Sequence, residues 1–424
     1  MSFYSALLQN ETLSSDEIEN INWSKRRALL AHAYEKSSFY HQKYSQAGLQ
    51  PKDIANRDDW HRIPALTRED LRQHFDTILT VPAESKYLGK STTGGTTGVP
   101  VTTYFDRRAP GEALGWRMMR WWGIRPSDDG AYVWRMRRKP GIATWLNELA
   151  WWPTRRLRFD ATSMSPAEIE DFLQSFNRLR PPLLQGYTGA IAHLSLHILE
   201  RKTSVHSPKA IWVTSSPLSA LQRGQIEQAF GAPVYDQYGS CEVGHMAAQC
   251  AVKQALHINC DSVHLEFVDD NGCVLPMDER GRIFVTDLDN LVFPLIRYEN
   301  GDEGRALPGK CSCGIGLPLM DKVSGRISDI VRLPGGSVLN GEYLTTLFDS
   351  YPDAVKQFQV RQGRDYSITV FYVPNSEYAN LALVVQEVQR MLEEKAKGRI
   401  PIKMISTNEI NHDRGKFRFV ISDA

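Results

Sequence analysis

The stretch with the most chemical content is STTGGTTGVP, residues 91–100. Ser91, Thr92, Thr93, Thr96 and Thr97 place hydroxyls around Gly94, Gly95 and Gly98. Glycine lacks Cβ, so backbone N–H groups in such a loop can approach an anion closely. Amides and hydroxyls converging on one point suit a triphosphate. A Walker loop is excluded, because that motif requires a Lys before its last Ser/Thr and then a helix. Here the flanking KYLGK and VTTYFD read as extended segments. A Ser/Thr/Gly cluster alone is also how a flexible turn is written. Its weight therefore comes from three stretches nearer the C-terminus.

TSSP (214–217) and DQYGSCE (236–242) both come after short apolar runs that read as strands. In open parallel sheets ligands bind beyond the carboxyl ends of the strands. Tyr238 could stack on a base, and Glu242 could hold a cation near phosphate. Asp302, in RYENGD, is a turn carboxylate suited to a pair of ribose hydroxyls; by itself, an Asp after a Gly is only a turn residue. Cys311 and Cys313 form C-x-C. With Cys250 and His257 they would supply three thiolates and one imidazole, a closed tetrahedral set for structural zinc. Cys260 is in reserve, and free thiols in loops are the alternative. Cys241, beside Glu242, has no His/Asp arrangement to make it a nucleophile and reads as a packing residue.

These residues need elements to hold them. The chain has 424 residues, a formal net charge of +1 and 42% apolar residues. That is enough for two or three domains with sizeable cores. A near-zero net charge gives no overall pull toward nucleic acid or membrane. No basic region followed by an apolar run opens the sequence, and no apolar stretch nears the length of a membrane span. Six cysteines do not make a secreted disulfide framework, so a reducing cytoplasmic setting is expected.

Residues 15–48 read as helices, with Ser14 or Ser15 as cap and Gly48 as stop. Thr67 and Asp70 form a capping box before REDL. Between 165 and 245, helices alternate with short apolar strands, the pattern of a parallel sheet with crossover connections. Ser165 caps the first helix there and Pro166 opens it. From 260 the texture turns to antiparallel strands: DSVHLEFVDD, CVLPMD and RGRIFVTDL, with turns at Asn271-Gly272 and Arg280-Gly281. The last hundred or so residues read as a small α+β piece, with a boundary near Gly325–Asp329. Seven of the ten tryptophans fall within residues 116–158 among interleaved arginines. That stretch is either a buried aromatic face with arginine stems reaching outward or a site for an anionic acceptor, carrier or CoA phosphates. A nucleic-acid surface is disfavoured, because the rest of the chain is not basic.

STTGGTTGVP, DQYGSCE, RYENGD, GRISD and a Gly-Lys near the end occur in the order of the adenylate-forming superfamily. In detail the chain resembles its phenylacetate–CoA ligase family. HAYEKSSFYHQKY and DIANRDDWHRIPALTREDL are similar to that family's opening. TGGTTG and FRFVIS look most like its capsular-polysaccharide (CapK-type) branch. The resemblance implies an α/β adenylate-forming architecture: a large domain with a β-rich subdomain over 1–326, and a small lid over 327–424. It implies that Ser91, Thr92, Thr93, Gly94, Gly95, Thr96, Thr97 and Gly98 embrace the ATP phosphates. Ser215, Ser216 and Pro217 would line the adenine, Asp236, Gln237 and Tyr238 would form its stacking stretch, and Gly239, itself among the cofactor-binding residues, would border the acid pocket with Tyr187. Glu242 would help hold Mg²⁺, Asp302 the ribose, and Arg326 the ribose and phosphate. Lys416 would bridge the substrate carboxylate and the α-phosphate, with lid closure completing the site.

The function so implied is formation of an acyl-AMP from a small carboxylic acid and ATP, then acyl transfer to CoA. An amine of a sugar or amino acid is the other acceptor, and a nucleotide binder without catalysis is a third reading. Thr96, Glu242 and Lys416 would be the catalytic residues. Three departures bear on the lid's second conformation and on CoA use: Val99 where many relatives carry Lys, Ser328 at the acidic hinge position, and Gly341-Glu342 where a Pro is usual. The partners implied are the acid and the acceptor. The oligomeric state stays between monomer and homodimer.

Overall fold

The computed structural model describes residues 3–92, 101–136, 151–162, 164–216, 218, 220–323, 331–334, 337–339, 341–344, 347–348, 350–351, 354–376, 378–408, 410 and 420–422. The chain divides into two compact units. The first comprises Met1–Thr92, Thr102–Arg125 and Tyr235–Gly325; the second comprises Thr93–Val101, Pro126–Val234 and Arg326–Ala424.

The first unit opens with helices Phe3–Asn10, Ser15–Lys36 and Ser38–Gln46. Ser14 is the cap of the second helix: its hydroxyl accepts from the Glu17 amide while Glu17 bonds back, a complete capping box. The helical run to Gly48 is broken at Ser37, an extended residue that ends one helix and caps the next. Thr67 and Asp70 close the expected box at Arg68–Gln73.

Among the described residues this unit also holds two antiparallel sheets and the antiparallel end of a larger, third one. Leu88–Thr92 pairs with Thr102–Asp106. Val263–Val268, Gly281–Asp287 and Tyr298–Gly304 form a second sheet. In the third, Val234–Ser240 (all but its first residue in this unit) pairs with Gly244–Gln249. That strand pairs with Leu256–Ile258, beyond which lie Leu319–Met320 and Ala306–Leu307. Ile18, Met246, Leu256, Phe267, Ile283 and Val285 pack among the core residues of this unit.

CVLPMD does not form the expected strand; only Val274 makes an isolated bridge, to Val268. The amides of Asn271 and Cys273 bond instead to the Asp269 side chain, at 2.9 and 2.8 Å. A local carboxylate thus takes donors that a sheet ladder would use. Gly281, expected in a turn, begins a strand.

The second unit holds a parallel sheet, in the order Arg156–Asp160, Gly130–Trp134, Leu183–Tyr187, Ala210–Thr214; the last two strands are expected from the sequence, and the first two fall in and at the end of the Trp/Arg stretch, where no strand is expected. Helices Pro166–Leu179, Thr188–Arg201 and Ala220–Phe230 accompany it. Ser165 caps the first with Glu168 reciprocating, and Pro166 opens it. Gly186 is required by close packing: a Cβ there would lie 2.7 Å from the Val133 carbonyl oxygen. The core is Ala131, Val133, Phe172, Leu184, Ile191, Ile211 and their neighbours.

The tail builds its own sheet, Ile402–Ser406, Ile368–Pro374, Val355–Gln362 and Val420–Ser422, with helix Leu381–Lys395. Its own core includes Phe348, Phe358, Val370, Val388 and Leu392. Within this unit Lys395 Nζ lies 2.6 Å from Asp160, and Lys397 Nζ 3.2 Å from Glu168. No described helix is long and apolar enough to cross a membrane.

Candidate nucleotide site and metal centre

The hydroxyl-rich stretch begins in register with its return strand, Ser91 opposite Thr103 and Thr92 opposite Thr102. Both flanks are therefore extended, as the alternation indicated. Ser91 Oγ donates to the Cys241 carbonyl at 2.9 Å. This bond ties the start of the stretch to the turn that carries Glu242. Thr93, Gly94, Gly95, Thr96, Thr97 and Gly98 lie outside the described residues, as do Pro217, Arg326 and Lys416.

The DQYGSCE stretch is the end of strand Val234–Ser240 and the turn after it. Gly239 sits at a register shift, and a Cβ on it would lie 2.3 Å from the Gly244 carbonyl. Only glycine lets the two strands approach so closely there. Gln237 and Asp236 are buried. The Asp236 amide donates to Gln249 Oε1 at 3.1 Å.

Tyr238 meets the RYENGD strand. Its phenol donates to Asp302 Oδ2 at 3.0 Å and accepts from Asn300 Nδ2 at 2.6 Å. Asn300 Nδ2 also lies 3.2 Å from Asp302 Oδ2, and Asn300 Oδ1 accepts from the Asp302 amide at 3.1 Å. Burial, then the Asp302 charge, hold the Tyr238 phenol well above its ordinary value, so it stays a donor.

Glu242 is buried, and its Oε1 accepts from Tyr298 OH at 3.2 Å. Burial and then Glu242 push the Tyr298 phenol up. Asn300 and Tyr298 were missed in the sequence. Their one signal is position: both lie within four residues of Asp302 on a strand, and Tyr298 and Asn300 are separated by two, hence on one face.

In the second unit, Ser215 comes just after the strand Ala210–Thr214 with φ +83°, a conformation costly for a residue with a Cβ. Thr188, also missed, braces that turn: its hydroxyl lies 3.0 Å from the Thr214 carbonyl and 2.9 Å from that of Ser216. Strained turns persist where their surroundings over-determine them, and such turns cluster at functional sites.

Cys250, His257, Cys311 and Cys313 come together, with their ligand atoms all within 4.8 Å of one another. Cys250 and Cys311 sulfurs are 3.6 Å apart, and Cys313 Sγ is 3.3 Å from His257 Nε2. A tetrahedral zinc with bonds of about 2.3 Å to sulfur places its sulfurs ~3.8 Å apart. The set therefore has the size and donors of a closed zinc site. His257 Nδ1 lies 3.3 Å from the Leu317 carbonyl, an outer contact that aims Nε2 at the thiols. Burial keeps the His257 imidazole below its ordinary value. Burial likewise pushes the Cys313 thiol up to about 12. Cys260 is not part of the cluster; it packs in the core with Ile18 and Met246. Cys241 is exposed rather than packed, and its carbonyl makes the contact to Ser91.

The arginines among the tryptophans do not all reach outward. Arg117 is fully buried and grips Asp261 through two bonds of 2.7 and 2.9 Å, with Asn259 at 2.6 Å. Trp122 stacks on Tyr235 at 5.1 Å and donates to the Gln249 carbonyl. Arg156 lies over the Trp151 ring. Trp152 is 79% exposed. The first part of the stretch is thus core, built around an inward cation.

No family model matches the chain. It is 27% identical over 344 residues to phenylacetate-coenzyme A ligase of Escherichia coli (strain K12), covering 77% of this chain and 75% of that protein. It is 25% identical over 276 residues to Protein CapK of Staphylococcus aureus, covering 63% and 58%. Among solved structures, 2-hydroxyisobutyryl-CoA ligase in complex with 2-HIB-AMP and CoA superposes with a TM-score of 0.68. That match has 21% identity and covers 98% of this chain and 91% of that one. The chain thus shares the fold of 2-hydroxyisobutyryl-CoA ligase.

Proposed function

We propose, on the premise that the chain belongs to the phenylacetate–CoA ligase family of the adenylate-forming superfamily, that it activates a carboxylic acid with ATP. The products of that step are acyl-AMP and pyrophosphate, and the acyl group then passes to CoA. The observation that supports this most is the joining of Tyr238, Asn300 and Asp302 within one unit. An aromatic ring beside a carboxylate is what an adenosine needs, a face for the base and an acceptor for ribose hydroxyls.

The acid and the α-phosphate are both anions, so the reaction requires positioning and opposing charge. Tyr298 fixes one oxygen of Glu242, which in this reading orients the carboxylate toward Mg²⁺. Bound Mg²⁺ would supply charge neutralisation at the phosphates. Ser91 and the residues after it would supply phosphate donors, and Lys416 the cation at the carboxylate. Ser215 and Ser216 would border the adenine, and Arg326 the ribose. In this reading residues 1–326 would bind ATP and the acid, and Lys416 would belong to a lid of 327–424. Cys250, His257, Cys311 and Cys313 would hold structural zinc, and a cytoplasmic setting keeps these thiols reduced.

An amine acceptor is the second reading. Its support is the likeness to CapK, taken with the TGGTTG and FRFVIS stretches. The test is pyrophosphate release from ATP over a panel of carboxylic acids, then addition of CoA or of amino sugars and amino acids. Release that depends on one acid class and yields a thioester is the expected result. An amide product would select the second acceptor. ATP uptake with no pyrophosphate from any acid would make the chain a binder.

A further inference from the structure

Gln249 stands between the metal centre and the nucleotide strand. It is the residue before Cys250 and is 1% exposed. Its side chain spans two backbones: Oε1 accepts from the Asp236 amide at 3.1 Å, and Nε2 donates to the Lys253 carbonyl at 3.2 Å. Its own carbonyl accepts from Trp122 Nε1 at 2.8 Å, and Trp122 lies flat on Tyr235, the residue before Asp236. The Lys253 end of this brace belongs to the turn that leaves Cys250, where the Lys253 amide donates to the Cys250 carbonyl at 3.1 Å. One buried amide therefore connects the turn at the first thiol to the backbone that leads, two residues on, to Tyr238.

We propose that occupancy of the Cys250/His257/Cys311/Cys313 centre and nucleotide binding are linked through Gln249, which acts as the positioning residue of the Asp236–Tyr238 segment. With a metal in place, Cys250 and its turn are fixed, and Gln249 holds Asp236 in register. With the metal gone, the turn can shift by fractions of an ångström, and the bond to Asp236 is the contact most directly exposed to that shift. Linkage is reciprocal: if metal raises nucleotide affinity by some factor, nucleotide raises metal affinity by the same factor. The inference rests on the nucleotide reading of Tyr238 and Asp302, and the experiment separates the two.

Zinc content and ATP affinity are measured by metal analysis and calorimetry on the full chain as purified, after chelation, and in Gln249→Leu. The as-purified protein is expected to hold one zinc. Chelation should weaken ATP binding at least fivefold, the low end of measured couplings. Gln249→Leu should keep its zinc, bind ATP at least fivefold more weakly, and show no further loss on chelation, as expected for two changes acting on one path. Saturating ATP should slow zinc transfer to a colorimetric chelator in the wild type and not in Gln249→Leu. This last arm needs no metal-free protein and so survives unfolding of the chelated form. ATP affinity that ignores chelation overturns the linkage and leaves the nucleotide reading standing. A chelation effect that persists undiminished in Gln249→Leu overturns the role of Gln249. A chain that takes no zinc, or a zinc-loaded wild type that binds no ATP, overturns it as well; only the latter also removes the nucleotide reading.

Discussion

Asn300, through Nδ2, bonds both the Tyr238 phenol and the Asp302 carboxylate. Replacing it by Ala removes the donor to the phenol and the brace on the carboxylate. A hydrogen bond involving a charged group contributes about 1.5–3 kcal/mol. Asn300→Ala should therefore raise the KM for ATP roughly tenfold or more, with kcat little changed and Tm within a few degrees. Steady-state pyrophosphate kinetics check this, and a fall in kcat at unaltered KM would move Asn300 out of ground-state binding. Lys416→Ala should behave in the opposite way. An opposing charge needed only as the carboxylate meets phosphorus leaves ATP affinity intact when removed, and lowers adenylate formation by orders of magnitude. Single-turnover pyrophosphate release beside calorimetric ATP binding separates the two variants, and unchanged release would end the role assigned to Lys416.

At the scale of elements, the end of helix Leu381–Lys395 meets the end of strand Arg156–Asp160 through Lys395 and Asp160. Asp160 also accepts from the Thr162 amide and hydroxyl, at 3.1 and 2.8 Å, so it organises its own turn as well as the pair. Both side chains are about 30% exposed, and such pairs contribute about 0.2–1 kcal/mol. Asp160→Asn should leave Tm nearly unchanged and speed hydrogen exchange in the last turn of that helix several-fold. Equal exchange in both proteins would show that apolar packing alone holds the helix end. Elements of this size were legible wherever a local rule sufficed. Ser14, Thr67 and Ser165 declare their helices because a cap and its partner lie three residues apart. Leu183–Tyr187 and Ala210–Thr214 of the parallel sheet were legible as short apolar runs between helices, whereas Arg156–Asp160 was not, because three of its five residues are charged. CVLPMD misled because alternation does not reveal that Asp269 takes the amides of Asn271 and Cys273.

Across the whole molecule, contacts between distant parts of the chain were the least legible. Arg117 and Asp261 are 144 residues apart, and nothing local distinguishes Arg117 from its exposed neighbours. The four metal-type ligands were legible because few side chains bind zinc and they occur as two short pairs, Cys250 with His257 and Cys311 with Cys313, although the pairs lie 61 residues apart. Asn300, Tyr298, Thr188 and Gln249 were not, since their types are common and their roles arise only from tertiary contact. Global stability should carry a signature of another such group, Asp287. Burial first, then the Asp289 carboxylate, push its acid up to about 8, against about 3.9 in an unfolded chain. Between about pH 4 and 8 the folded protein thus holds a proton that the unfolded chain has lost. The contribution of this group is fully present below about pH 4 and declines as pH rises through 8. Asp287→Asn retains an oxygen for the Asp289 amide and removes the titration. Denaturant unfolding across this range should show the variant gaining on the wild type as pH rises, and parallel curves would place the Asp287 proton elsewhere.

Asp302 already engages a phenol of its own chain. In the nucleotide reading, a guest offering hydroxyls would find one Asp302 oxygen already accepting from Tyr238, and would bond beside the phenol or in its place. Net enthalpy from such a swap is small, because one bond replaces another. Discrimination would not be small: a guest that displaced the phenol without offering a hydroxyl would leave a half-buried carboxylate oxygen without that bond. Selectivity for a sugar over its deoxy analogue would then come from the host's own internal bond, with Tyr238 as the competitor every ligand must match.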